Sequence, residues 1–388
     1  MMALETMVSC PQLRSDLVIE QQHEGKNLKY LIIDPVNGRY WQCGPSLYHL
    51  LTLCTGEYTL AEMMARYREL TQVSLTSEQL ESALRKFAEQ GFLDHHASPP
   101  RPRYARRLFS WLSRRPLSLE LLIMRWRLFP ADGLLQRLEP STRWIFSPVF
   151  FVCWAVLMAI TIWLLASGGW DAGILPVAME LYGHISFLAW GQFLIVLLVT
   201  AFIHESAHGI TLQHFGRHPG HFGLAFSPLA GVFFYVEIGE IWRLNKRQHR
   251  VAVSLAGPLA SSVIGAVGTI VWSLVPPDVP SSSWAEMFMV AGVLTAIYNV
   301  LPFFRTDGYF ALTDWIHTPN LDRKARKYLI HLICRPFHRQ PQTEPLALSQ
   351  HFLLAGYGVI AWLATLWLLW IVGSFFIRLI VSFVLHVL

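Results

Sequence analysis

Residues 185–209 read ISFLAWGQFLIVLLVTAFIHESAHG. Nineteen uncharged, mostly apolar residues run into three ionisable ones, His204, Glu205 and His208. About 20 such residues suffice for a helix to cross ~30 Å of hydrocarbon, so the stretch reads as a membrane span. Four residues on a helix turn through ~400°, which puts His204 and His208 one turn apart on nearly the same face. That spacing suits two ligands of one tetrahedral Zn²⁺. Glu205 lies ~100° further round, where it can reach a water beside the metal as general base. With 16 His and 17 Glu in the chain, an HExxH arises by chance in roughly 3 of 100 such chains. A polar cap on the helix end is the bland alternative. Desolvating three ionisable groups there argues for function instead.

The rest of the 388 residues agree with a membrane setting. Hydrophobic residues make up 53% and charged ones only 15%, against ~25% in soluble domains. That excludes a disordered regulator and disfavours a soluble enzyme or a nucleic-acid binder. Five Cys form no CxxC pair, so no disulfide framework is expected. No basic segment followed by an apolar run opens the chain, so no signal peptide is expected. Apolar runs at 145–167, 185–208, 251–275, 285–304 and 352–377 predict a mainly α, polytopic membrane protein of five or six transmembrane helices. The run 352–388 is too long for one straight span.

Charge orients it. Residues 97–144 carry 10 Arg and 3 acids, a net +7, much of it in RPRYARRLFSWLSRRP (101–116), which reads as a juxtamembrane anchor. Residues 1–96 are net −4. The connections 168–184 and 276–284 hold no Lys or Arg, whereas 209–250 and 305–351 hold 12 of the 13 basic residues after position 144. The positive-inside rule places the N-terminus and both basic connections in the cytoplasm of a cell-membrane protein.

A third metal ligand has several candidates. His214, in HESAHGITLQH, stands ~240° from His208 if the helix continues, and so leaves its face. Glu237 and Glu240 follow thirty residues downstream. Asp307, in NVLPFFRTDGY (299–309), ends the fourth span at the cytoplasmic side, the same depth as His204. It is the favoured ligand.

HESAHG on one span, with Asn299-Val300-Leu301-Pro302 and Asp307-Gly308 after a later one, resembles the site-2 protease family of intramembrane zinc metalloproteases. Leu255-Ala256-Gly257-Pro258 looks like that family's Gly-Pro element. The stretch 301–329 is similar to a bacterial branch of peptide zinc metalloproteases. The resemblance covers most of 145–335. It implies a Zn²⁺ cofactor held by His204, His208 and Asp307, Glu205 as catalytic base and Asn299 as an accessory polar residue. It further implies that the Gly/Pro-broken stretch 221–242 is a re-entrant hairpin. The short strand expected at 233–238 would hold an extended substrate through Phe233, Phe234, Tyr235 and Val236 by strand addition.

Ahead of the spans, 28–96 separates as a small α/β module after a tail, 1–27, and before the linker 97–144. LKYLIIDPVNGRYWQC (28–43) predicts a hairpin turning at 35–38. Helical spacing follows at 44–54, 59–70 and 77–91, the last capped by Ser77. This winged-helix-like pattern resembles PqqD-like modules that bind leader peptides. Its net negative charge disfavours nucleic acid. The expected activity is hydrolysis of a peptide bond in a peptide precursor or membrane protein. The competing reading is a non-hydrolytic component of a peptide maturation or export complex, working with partner proteins. A transporter would show a polar pathway or inverted repeat, and neither is apparent.

Overall fold

The computed structural model describes residues 10–24, 27–35, 39–94, 124–167, 187–227, 231–276, 279–334 and 348–387. They divide into two compact units, Met1–Ile123 and Met124–Leu388.

In the first unit, β1 (Val18–Glu24), β2 (Asn27–Asp34) and β3 (Arg39–Cys43) form an antiparallel sheet in sequence order. Asp34 faces Arg39 across the expected hairpin. Positions 36–38 of its turn lie outside the described residues. The expected boundary at 28 is corrected. Val18 pairs with Ile33 and Glu24 with Asn27, so β1 belongs to the sheet. Further upstream, Arg14 donates to Asp34 at 3.2 Å and to the Gly91 carbonyl at 2.9 Å. VIEQQHE alternates poorly between apolar and polar; it packs Ile19 against the core and satisfies the β2 backbone.

Three helices follow: α1 (Pro45–Thr52), α2 (Leu60–Thr71) and α3 (Ser77–Gln90). Thr59 and Thr76 close capping boxes with Glu62 and Gln79, so the cap of α3 is Thr76 and not Ser77. Ile32, Leu51, Met63, Leu80, Phe87 and Phe92 fill the core between sheet and helices.

The second unit holds five helices long and apolar enough to cross a membrane, counted among the described residues. They are α5 (Pro148–Ser167), α6 (Phe187–His214), α7 (Arg247–Leu274), α8 (Pro280–Val300) and α11 (Leu348–Val387), with α4 (Asp132–Thr142) ahead of them. All five expected runs fall within these helices except their ends. The second continues past 208 to His214, and 348–387 is one continuous helix. Val152, Ile162 and Trp163 of α5 are each more than 60% exposed, which suits a lipid-facing surface better than a watery one. Helix α7 lies between α6 and α8. Gly265 of α7 and Gly292 of α8 bring those two backbones into contact, as small residues do in apolar helix pairs.

The linker expected at 97–144 is also corrected. Residues 95–123, including the basic segment 101–116, lie outside the described residues. Residues Met124–Pro130, however, form β4, which joins β5 (His221–Ser227) and β6 (Gly231–Val236) in an antiparallel sheet of order β4-β5-β6. Two other arginines of 97–144, outside the segment read as an anchor, find partners on this sheet. Arg127 bonds Glu237 at 2.8 Å, and Arg125 lies 5.5 Å from the Tyr235 ring centroid. In α4, Leu135 is fully buried beside Phe222 and Val236. The strand expected at 233–238 runs instead from Gly231 to Val236. The chain between α8 and α11 carries α9 (Asp307–Trp315) and α10 (Leu321–Cys334).

Candidate metal centre

Two helices, α6 and α9, deliver three donor atoms to one point. Nε2 of His204 stands 2.9 Å from Oδ2 of Asp307 and 3.2 Å from Nε2 of His208, and His208 Nε2 is 3.3 Å from the same carboxylate oxygen. Both imidazoles are buried and Asp307 is partly so. Ligand atoms ~2.05 Å from a tetrahedral ion stand ~3.3 Å apart, so the observed triangle is of that size. The group could hold a metal ion.

Its chemistry fits one as well. Nδ1 of His208 lies 2.6 Å from the Val253 carbonyl, an acceptor only, so Nδ1 carries a proton and Nε2 is the ring atom turned inward. Nδ1 of His204 lies 2.9 Å from the Ser261 hydroxyl. Two imidazole nitrogens and a carboxylate converging at ~3 Å need a shared proton or a cation among them, and a metal ion would satisfy all three at once. The α7 backbone leaves room for it. A methyl group built on Gly257 would run into Nε2 of both histidines.

Each donor is positioned by local structure. The i, i+4 spacing on α6 stacks the imidazoles on the face toward α7. Asp307 is the first residue of α9, and the chain must fold sharply back on α8 to bring it there. Gly308 permits this, because a Cβ at that position would collide with the Val300 carbonyl. Arg250 of α7 anchors the far end of α9 through a buried ion pair with Asp314, 2.9 Å, and donates to the Leu244 carbonyl. From α11, the Tyr357 hydroxyl donates to the Pro302 carbonyl at 3.0 Å, holding the turn that precedes Asp307.

Glu205 points to the β6 side. Its Oε2 accepts the Val236 N–H at 2.9 Å. Glu237 exchanges backbone bonds with Gly220 and His221, so Val236, Phe234 and Val232 turn their backbone groups away from β5, the odd-numbered residues toward it. Asn299 does not join the cluster; its amide donates to the Thr295 carbonyl of its own helix.

The other ligand candidates are occupied elsewhere. His214 stacks on Phe146 at 3.7 Å and lies 3.8 Å from Glu139. Glu237 binds Arg127, and Glu240 binds Arg243 at 3.0 Å. His218 and Gln213 both bond Asp132 at 2.8 Å and hold its carboxyl below the usual carboxylate range. Val253 and Ser261 escaped the reading of the sequence. Ser261 could have been found, since it lies one turn after Gly257 on the same face of α7.

Compared with protein families, curated proteins and solved structures, the chain matches none.

Proposed function

We infer that the chain is a multi-pass membrane zinc metallopeptidase of site-2-protease type. The observation that carries this reading is the donor triangle of His204, His208 and Asp307, with Glu205 beside it on α6. The donor set, two neutral imidazoles and a carboxylate, is that of a catalytic zinc site, where three protein ligands leave a fourth position for the reaction. A zinc ion there supplies Lewis acidity that polarises a carbonyl and acidifies water. Glu205 takes the proton from the attacking water and passes it to the leaving amine. The outer edge of β6 offers the backbone groups of Phe234 and Val232 to an extended peptide, in register with Glu205 at Val236. Phe233 to Val236 would line that peptide, and the sheet would act as the re-entrant hairpin. A structural zinc site would take a fourth protein ligand and has no use for a base, which disfavours a purely binding role. The basic connections put the N-terminal module and the metal end of α6 on the cytoplasmic side of the cell membrane. The module would select a leader peptide.

The test compares the peptides and membrane proteins that accumulate in cells carrying wild type or Glu205→Ala. An uncleaved precursor accumulates with the variant, which still binds zinc after purification. Identical profiles would overturn the protease reading.

A further inference from the structure

We propose that Ser261 is the positioning residue for His204, fixing the ring so that its Nε2 meets the metal. The proposal rests on the metal site described above and adds to it a residue that is neither ligand nor base. Ser261 is fully buried on α7, and its hydroxyl lies 2.9 Å from Nδ1 of His204, 57 residues earlier. An imidazole that coordinates through Nε2 must place its remaining proton on Nδ1, and in a dry interior that proton needs an acceptor. The backbone serves this purpose for His208, through the Val253 carbonyl. It does not do so for His204, whose Nδ1 partner is a side chain. The two ligands are thus held unequally. His208 is locked by a group no substitution can remove, whereas His204 depends on one hydroxyl.

The position on α7 explains why a serine can do this. Ser261 is one turn beyond Gly257, so the same helix face first gives the ligands room and then gives His204 its partner. The hydroxyl is short enough to stay beside its own helix. It therefore reaches Nδ1 without entering the space between the three donor atoms. Removing it leaves the imidazole N–H buried without an acceptor, and the ring turns to find one.

The experiment measures zinc affinity of the purified full-length chain in detergent by competition with a chromophoric chelator. Wild type, Ser261→Ala and Thr269→Val are compared. Thr269 is an equally buried hydroxyl on α7 that bonds only its own helix, to the Gly265 carbonyl at 2.8 Å, and controls for the general loss of a buried hydroxyl. Loss of such an outer partner costs typically 10–100-fold in metal affinity. Ser261→Ala should weaken zinc binding at least 10-fold, with Thr269→Val within 3-fold of wild type. The cobalt-loaded Ser261→Ala protein should also show altered visible d–d bands, which a change in stability alone would not produce. The metal-free thermal midpoint of Ser261→Ala should match that of Thr269→Val. Equal zinc affinity in Ser261→Ala and wild type overturns the role of Ser261 while leaving the metal site standing. A wild-type chain that takes up no zinc overturns the site itself, and the proposal with it. Neither readout depends on proteolysis.

Discussion

Gly257→Ala is a small change with a large expected effect. Alanine is the better helix former by about 1 kcal/mol, so α7 itself should gain from the substitution. The added methyl, however, falls 2.7 Å from Cδ2 of His204 and closer still to both Nε2 atoms. Carbon atoms pack at ~3.5 Å or more, so the ring must retreat by about 0.8 Å, and its neighbour by a similar amount. Ligand distances at a metal tolerate only ~0.2 Å. The shift therefore uncouples at least one imidazole, and zinc affinity should fall 100-fold or more, about 2.7 kcal/mol. Overpacking costs the metal-free fold about 1–3 kcal/mol, partly offset by the helix gain. The assay is chelator competition on the purified chain, with circular dichroism to confirm retained helix. Gly356→Ala is the control, since nothing stands within 4 Å of its added methyl. A Gly257→Ala protein that binds zinc within 3-fold of wild type would refute the packing argument.

Asp307→Ala should lower the zinc content of the purified chain by elemental analysis, while Glu240→Ala should leave it unchanged; the reverse pattern would reassign the third ligand. Arg250→Met removes the cation 2.9 Å from the largely buried Asp314 carboxylate and should cost up to about 3–5 kcal/mol in thermal stability. Adding Asp314→Leu to it should recover part of that loss, and a further drop would show that the pair is not the anchor of α9. Burial pushes the Cys54 thiol up to about 12. At pH 8, mass spectrometry should find alkylation at the exposed Cys10 and not at Cys54 until the chain is unfolded. The sign for stability follows from the same shift. Above pH ~9 the unfolded thiol loses its proton while the folded one keeps it, so the first unit should lose stability as pH rises from 9 towards 12.

How much of this was readable beforehand depended on whether a residue's role is local. The HExxH face needs only the 3.6-residue period, and the apolar runs need only length, so α5 to α8 lay where the sequence put them. Asp307 was reachable because charges at one end of parallel spans share a depth. Strand β1 was missed because VIEQQHE has no apolar alternation, and its pairing is decided by a neighbour's unmet backbone groups. Strand β4 was misread for the opposite reason. Arg125 and Arg127 carry a strong signal as basic residues, and only the fold pairs them with Tyr235 and Glu237. The Val236 N–H was invisible as a functional group, since it matters only through a contact made across the fold; Ser261 left only the faint signal of its place one turn after Gly257.

The hold of Tyr357 on the turn before Asp307 bears on how the site comes into being. His204 and Asp307 are 103 residues apart in the chain, and Tyr357 follows 55 residues after the Pro302 carbonyl it grips. At about 5–20 residues per second, the histidine pair leaves the ribosome some 5–20 s before the carboxylate does. During that interval the growing chain has two thirds of a metal site and no third donor. The final turn is steadied only once α11 has been made and docked. Maturation of the centre is therefore tied to the synthesis of α11, and a chain cut short before 348 would carry every ligand yet lack the strut that keeps Asp307 in place.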